Sequence, residues 1–180
     1  MENLLRKLKL KDNIIITVPI MKSDFINKLR RNMDEGSTST TFAFTEAFSR
    51  SKHNYIGSIS GNEFELRRRL RFFDANKGKA IAKGKMQQDG DNLIIDVEVN
   101  GFKKSMIFFY VAITFFYVFF FGMAGFFSFS DSEHSNVPFF FIPFILLHGI
   151  MMYFIPIYVM RRSVKNIKND LEKDFFYFTK

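Results

Sequence analysis

Met106 to Phe129 runs for about 24 residues without an acid, a base or a histidine, and a helix rising about 1.5 Å per residue crosses a ~30 Å hydrocarbon core over that length. After a polar break, Ser130 to Val137, a second apolar run extends from Pro138 to Met160, with His148 as its one residue of the acid, base or histidine kind. The pattern predicts two transmembrane helices. The competing reading is the buried helical hairpin of a soluble protein. That reading asks a chain of 180 residues to build a polar shell around two long apolar rods, more than its size supplies.

The flanks predict an orientation. Lys103 and Lys104 precede the first run, and Arg161, Arg162, Lys165 and Lys168 follow the second, whereas the connection carries Asp131 and Glu133. Basic residues stay on the cytoplasmic side, so both termini are expected there. The expected organisation is a cytoplasmic module over 1–104, a first span over 105–130, an extracytoplasmic loop over 131–137, a second span over 138–160 and a cytoplasmic amphipathic helix over 161–180. The basic N-terminus is followed by an apolar run, Ile14 to Ile20, that is short, holds Pro19 and lacks a small-residue cleavage site, so no cleaved signal is expected.

Averages over the chain conceal this division. A mean hydropathy of −0.02 with 26 Phe and no Trp joins a polar half to a nearly charge-free one. The polar half reads as α+β. Ile14, Ile16, Val18 and Ile20 alternate as in a strand that Pro19 places at an edge or an end. Ser23 then reads as an N-cap, and Phe25, Ile26, Leu29 and Met33 share a helical face until Gly36. Period-two patterns follow at Phe42–Phe48, Tyr55–Ile59, Phe64–Phe72, Lys79–Met86 and Leu93–Val99, with Gly61-Asn62 and Asp89-Gly90-Asp91-Asn92 as turns. The fold expected is a strand, a helix and about five antiparallel strands. Val164, Ile167, Leu171 and Phe175 form a stripe beyond the second span, which either caps the open face of this sheet or lies on the membrane surface.

The stretch Tyr55-Ile56-Gly57-Ser58-Ile59-Ser60-Gly61-Asn62-Glu63-Phe64-Glu65-Leu66-Arg67-Arg68-Arg69, followed by Gly84 and the two spans, resembles a group of uncharacterised small bacterial membrane proteins. They carry an aromatic–x–Gly–x–Ile–x–Gly–Asn–x–Phe–x–aliphatic–Arg–Arg pattern ahead of two spans. The turn Phe73-Asp74-Ala75-Asn76 departs from the Arg-Asn-Ser-Phe type associated with that group. The resemblance implies a bacterial inner membrane protein and no activity.

Little in the chain points to catalysis. Without Cys there is no disulfide, thiol nucleophile, iron–sulfur cluster or Cys-ligated zinc. Gly78-Lys-Ala-Ile-Ala-Lys-Gly-Lys lacks the spacing of a phosphate-binding loop, and His53, His134 and His148 fall in different segments. No cofactor, metal or catalytic residue is expected.

Two features point to contacts. Strand alternation places Arg67, Arg69 and Arg71 on one face, and a hairpin about Asp74–Lys77 sets Arg71 opposite Lys79 and Arg67 opposite Lys83. Opposed like charges destabilise a sheet, so an anion is expected there, with anionic phospholipid headgroups the nearest source. The alternative is a solvated positive face; nucleic acid is disfavoured, because no exposed aromatic pattern accompanies the arginines. In the spans, His148 is the most pointed polar residue. It reads as a neutral imidazole bonded across the hairpin to Thr114 or Tyr117, or alternatively as a proton or ligand site. Gly122, Gly125 and Gly149 suggest helix packing, and Pro143 and Pro156 helix kinks. The function expected is non-catalytic binding to the membrane or a protein partner. A subunit of an oligomeric transport or channel assembly stands as the alternative, ahead of a membrane enzyme.

Overall fold

The computed structural model describes residues 2–39, 51, 53–69, 80–130 and 141–178. Its elements run α1 (Glu2–Lys7), β1 (Lys11–Val18), α2 (Lys22–Asn32), β2 (Met33–Glu35), β3 (Tyr55–Ser60), β4 (Glu63–Arg68), β5 (Ile81–Asp89), β6 (Asn92–Asn100), α3 (Ser105–Ser130) and α4 (Phe141–Tyr177). They form two units, Met1–Phe102 with Val159–Lys180, and Lys103–Tyr158.

In the first unit six strands form one sheet in the order β1-β6-β5-β4-β3-β2. All neighbours are antiparallel except β2, which runs parallel to β3 with Met33 opposite Tyr55. Alternation sorts the side chains. Ile14, Val18, Tyr55, Phe64, Leu66, Ala82, Met86, Leu93, Ile95, Val97 and Val99 face one layer of helix and are buried. Phe25 and Leu29 of α2 and Val164, Ile167, Leu171 and Phe175 of α4 complete that core. Phe175 sits edge-on to Phe25 (4.9 Å between centroids) and to Phe64 (5.9 Å). Opposite Phe64 in the ladder is Gly84, where an added Cβ would lie 2.0 Å from the Phe64 ring, so the glycine makes room for the aromatic.

The C-terminal stripe therefore caps the sheet and does not lie on a membrane surface. The sheet domain is discontinuous in sequence, its last helical segment arriving after both apolar runs. Lys168 to Asp12 (2.9 Å), Tyr55 to Asp174 (2.6 Å) and Arg68 to Asp170 add polar ties between that segment and the strands.

Several local expectations change. Ser23 is not the N-cap of α2; the helix opens at Lys22 behind Met21, and Lys22 N–H donates to Gln88 Oε1 at 2.8 Å, a cap borrowed from β5. The helix ends at Asn32, because Met33–Glu35 leave it to pair with β3. This parallel strand makes the sheet mixed, not purely antiparallel. β5 runs on to Asp89 and the turn at Gly90-Asp91. Gly61 and Gly90 sit at φ +58° and +56°, as two-residue hairpin turns require. The strand expected over Phe42–Phe48, the end of the one expected over Phe64–Phe72 and the turn near Asp74 lie outside the described residues.

The second unit pairs α3 with the first part of α4. Both helices are long and apolar enough to cross a membrane, and their most apolar stretches are 0% and 6% buried. The first apolar run matches α3; the second begins its described helix at Phe141 and continues without a break into the sheet-capping segment. Pro143 is the third described residue of α4, and Pro156 lies in the interior of the helix.

Candidate functional site

The exposed face of the sheet is a ladder of charges. Along it Glu63 is opposite Lys85 and Glu65 opposite Lys83, and these lysines face Asp96 and Glu98 of β6. Lys85 Nζ lies 3.0 Å from Glu63 and Lys83 Nζ 2.9 Å from Glu65. With Asn13, Ser58 and Ser60 these side chains line an open groove of about 470 Å³. Four carboxylates and two ammonium groups border it, so its local charge is opposite in sign to the +8 of the whole chain.

Beside the groove, held to its Glu65 through the Thr38 hydroxyl, the chain forms a strap. After β2 the chain continues Gly36 N–H to Gly57 O at 2.9 Å, then crosses above β4. There Arg67 donates Nε to Thr38 O (3.0 Å) and Nη2 to Ser39 O (3.3 Å), while the Thr38 hydroxyl bonds to Glu65. Burial raises the Glu65 carboxyl, but the Thr38 hydroxyl and the Lys83 ammonium outweigh it and leave its pKa below the ordinary value.

This arrangement corrects the reading of the basic strand. Arg67 and Arg69 do share a face, but they are 0% and 7% exposed. Arg67 lies beneath the strap and faces Ile81, not Lys83, because the register of β4 on β5 is two residues away from the one expected. Lys83 faces Glu65 and is ion-paired. The like-charge opposition that called for an anion does not occur between Arg67 and Lys83. Arg71 and Lys79 lie outside the described residues.

Arg69 belongs to a second cluster. Asp34 on β2 accepts from Ser51 Oγ at 2.7 Å and from Arg69 Nη2, and its other oxygen lies 2.6 Å from His53 Nδ1. A carboxylate at Nδ1 orients an imidazole and leaves Nε2 outward. Ser51 bonds to the carboxylate and not to Nε2, so this is not the order of groups that activates a serine. Asp34 instead ties the departure of the chain at β2 to its return before β3. No spacing motif marks this cluster, since Asp34, Ser51, His53 and Arg69 meet only through the parallel pairing of β2 with β3.

At the outer edge of β1, Lys11 is 8% exposed and bonds to Glu2 and Glu98, both at 3.0 Å. The Glu2 and Glu98 hydrogen bonds raise its pKa despite burial, and Lys11 in turn lowers that of Glu2. On the helix side, burial and then Asp174 push the Tyr55 hydroxyl well above its ordinary value, so it remains a donor.

Within the helical hairpin the polar groups meet one another. Tyr117 Oη is 2.5 Å from His148 Nδ1, so of the two candidate hydroxyls it is Tyr117 that reaches the histidine. Thr114 bonds back to Tyr110 O at 2.7 Å and meets Tyr153 Oη, and Tyr110 and Tyr153 stack at 5.6 Å. A Cβ on Gly149 would lie 3.3 Å from the Tyr117 ring, so this glycine admits the contact, whereas Gly122 and Gly125 have nothing within 4 Å among the described residues. The close-packing reading therefore fits Gly149.

Set against known proteins, the chain matches no family model, no curated protein and no solved structure.

Proposed function

We propose that the chain is a membrane-anchored binding module, non-catalytic, whose sheet domain lies in the cytoplasm and whose groove takes a basic segment of a partner protein. The groove carries the reading: four carboxylates and two lysines border it, and the carboxylate of Asp96 has no partner among the described residues. A cationic peptide matches that field, whereas an anionic headgroup does not. Lipid contact falls instead to the exposed Lys104, Arg161, Arg162 and Lys165 flanking the apolar runs, each contributing about 1 kcal/mol near an anionic surface. The same flanks support the both-termini-inside orientation, and the family resemblance supports a bacterial inner membrane.

The binding test uses the full chain in nanodiscs and two fluorescein-labelled peptides, one of alternating Lys and Gly and one of alternating Glu and Gly. The cationic peptide should raise the anisotropy at low salt and release as salt rises, and Asp96→Lys should weaken it at least tenfold. Equal binding of both peptides, or indifference to Asp96→Lys, refutes the groove as the site. Orientation is tested separately: a reporter active only outside the cytoplasm should work when inserted at Ser132 and stay silent at either end.

A further inference from the structure

β1 is the last strand of the order, with β6 its only neighbour among the described residues. It is eight residues long, and from Asn13 to Val18 it carries no charge. Natural sheets shorten, charge or cover such an edge, because its unpaired main chain is a template for another strand. The opposite end of this sheet is treated that way: β2 has three residues, two of them Asp34 and Glu35.

The direction of the free groups follows from one bond. Asn13 N–H donates to Asp12 Oδ1 at 2.9 Å and so points away from β6. In an antiparallel ladder alternate residues turn both main-chain groups the same way, so Ile15 and Thr17 also present N–H and C=O outward. Neither takes part in any main-chain bond from a turn or loop among the described residues. Ile15 is also 72% exposed, a large apolar side chain in the middle of the strand.

We propose that this edge pairs with a second copy of the chain, antiparallel and centred on Ile15. The sequence is self-complementary in that register. Ile15 stands opposite its own equivalent, Asn13 opposite Thr17, and Ile14 opposite Ile16. On the groove side the isoleucine pair shields the exposed Ile15, flanked by two amide–hydroxyl pairs. The three outward-facing pairs exchange about six main-chain hydrogen bonds. A two-fold contact of this kind uses the same surface on both copies and closes at the dimer, so it joins two six-stranded sheets without propagating into a fibre. Pro19, which has no N–H, ends the pairing one residue beyond Val18. The contact is small for an isolated protein. Anchorage in one membrane raises the effective concentration of copies and so suits a contact of this size.

The chain has no Cys, so an introduced one is the only thiol. Full-length Ile15→Cys in proteoliposomes, treated with a short bis-maleimide, should run as a covalent dimer, because directly opposed Cβ atoms lie about 5 Å apart. Asn13→Cys and Thr17→Cys should each stay monomeric alone, their equivalents being four residues out of step, about 13 Å apart along the strand. Mixed in one membrane, the two should cross-link to each other. Adding Ile15→Pro to both should lower that mixed cross-link at least fivefold while leaving the β1–β6 ladder intact, since Ile15 faces away from β6. A monomeric Ile15→Cys, an adduct to some other protein in its place, or equal cross-linking of all three single variants overturns the proposal.

Discussion

Replacing Phe175 with alanine removes a ring that is 0% exposed and wedged edge-on between Phe25 of α2 and Phe64 of β4. Deleting a buried phenylalanine costs about 3–5 kcal/mol through lost transfer energy and the cavity left behind. The two edge-to-face contacts, about 0.5–1.5 kcal/mol each, place this site toward the upper end. Against a domain stability of about 5–15 kcal/mol, such a loss leaves the sheet domain marginal. The next residue supplies the control. Phe176 is 58% exposed, and its replacement by alanine should stay within about 0.5 kcal/mol. The chain has no Trp, so urea unfolding of the full chain in micelles is best followed by pulse proteolysis of the sheet strands. A helix lying on a membrane surface would rank the two residues differently. A Phe175→Ala loss below about 1 kcal/mol, or one equal to that of Phe176→Ala, refutes the capping of the sheet by α4.

Three further outcomes follow from the same geometry. Gly84→Ala drives a Cβ into the Phe64 ring and should destabilise the domain by about 1–3 kcal/mol in the same urea assay, with Phe64→Leu restoring part of the loss in the double variant. Because the Glu65 carboxyl titrates below its ordinary 4.5 in the folded state, the unfolded chain binds the extra proton first. The stabilisation from Glu65 is therefore full above pH 4.5 and lost as the pH falls through the lowered value, and Glu65→Gln should flatten that part of the stability–pH curve. His148→Leu removes the bond to Tyr117 and should weaken the helical hairpin by only about 0.6 kcal/mol; a loss of several kcal/mol, or a loss of function at normal abundance, points to a site in the membrane.

What the linear order of residues carries most directly is period and charge. Two long apolar runs announce two helices suited to a membrane because spanning requires length and little else. Tyr55–Ile59, Phe64–Leu66 and Leu93–Val99 announce strands because alternation is local, and Gly61 and Gly90 mark turns because a positive φ is a property of one residue. The stripe at Val164, Ile167, Leu171 and Phe175 was equally visible, but two amphipathic partners, a sheet and a membrane surface, ask for the same stripe. Only the tertiary packing onto Phe25 and Phe64 distinguished them. The same limit applies to the arginines. Alternation placed Arg67 and Arg69 on one face, yet their burial depends on a strap and a parallel strand that no periodicity encodes, since Met33–Glu35 continue a helical pattern in sequence. A shift of two residues in the pairing of β4 with β5 preserves every side chain's face while replacing a like-charge opposition with Glu65–Lys83. Face is set by local alternation; register and cover are set by the sum of distant contacts, and for that reason the exposed acidic groove emerged only in three dimensions.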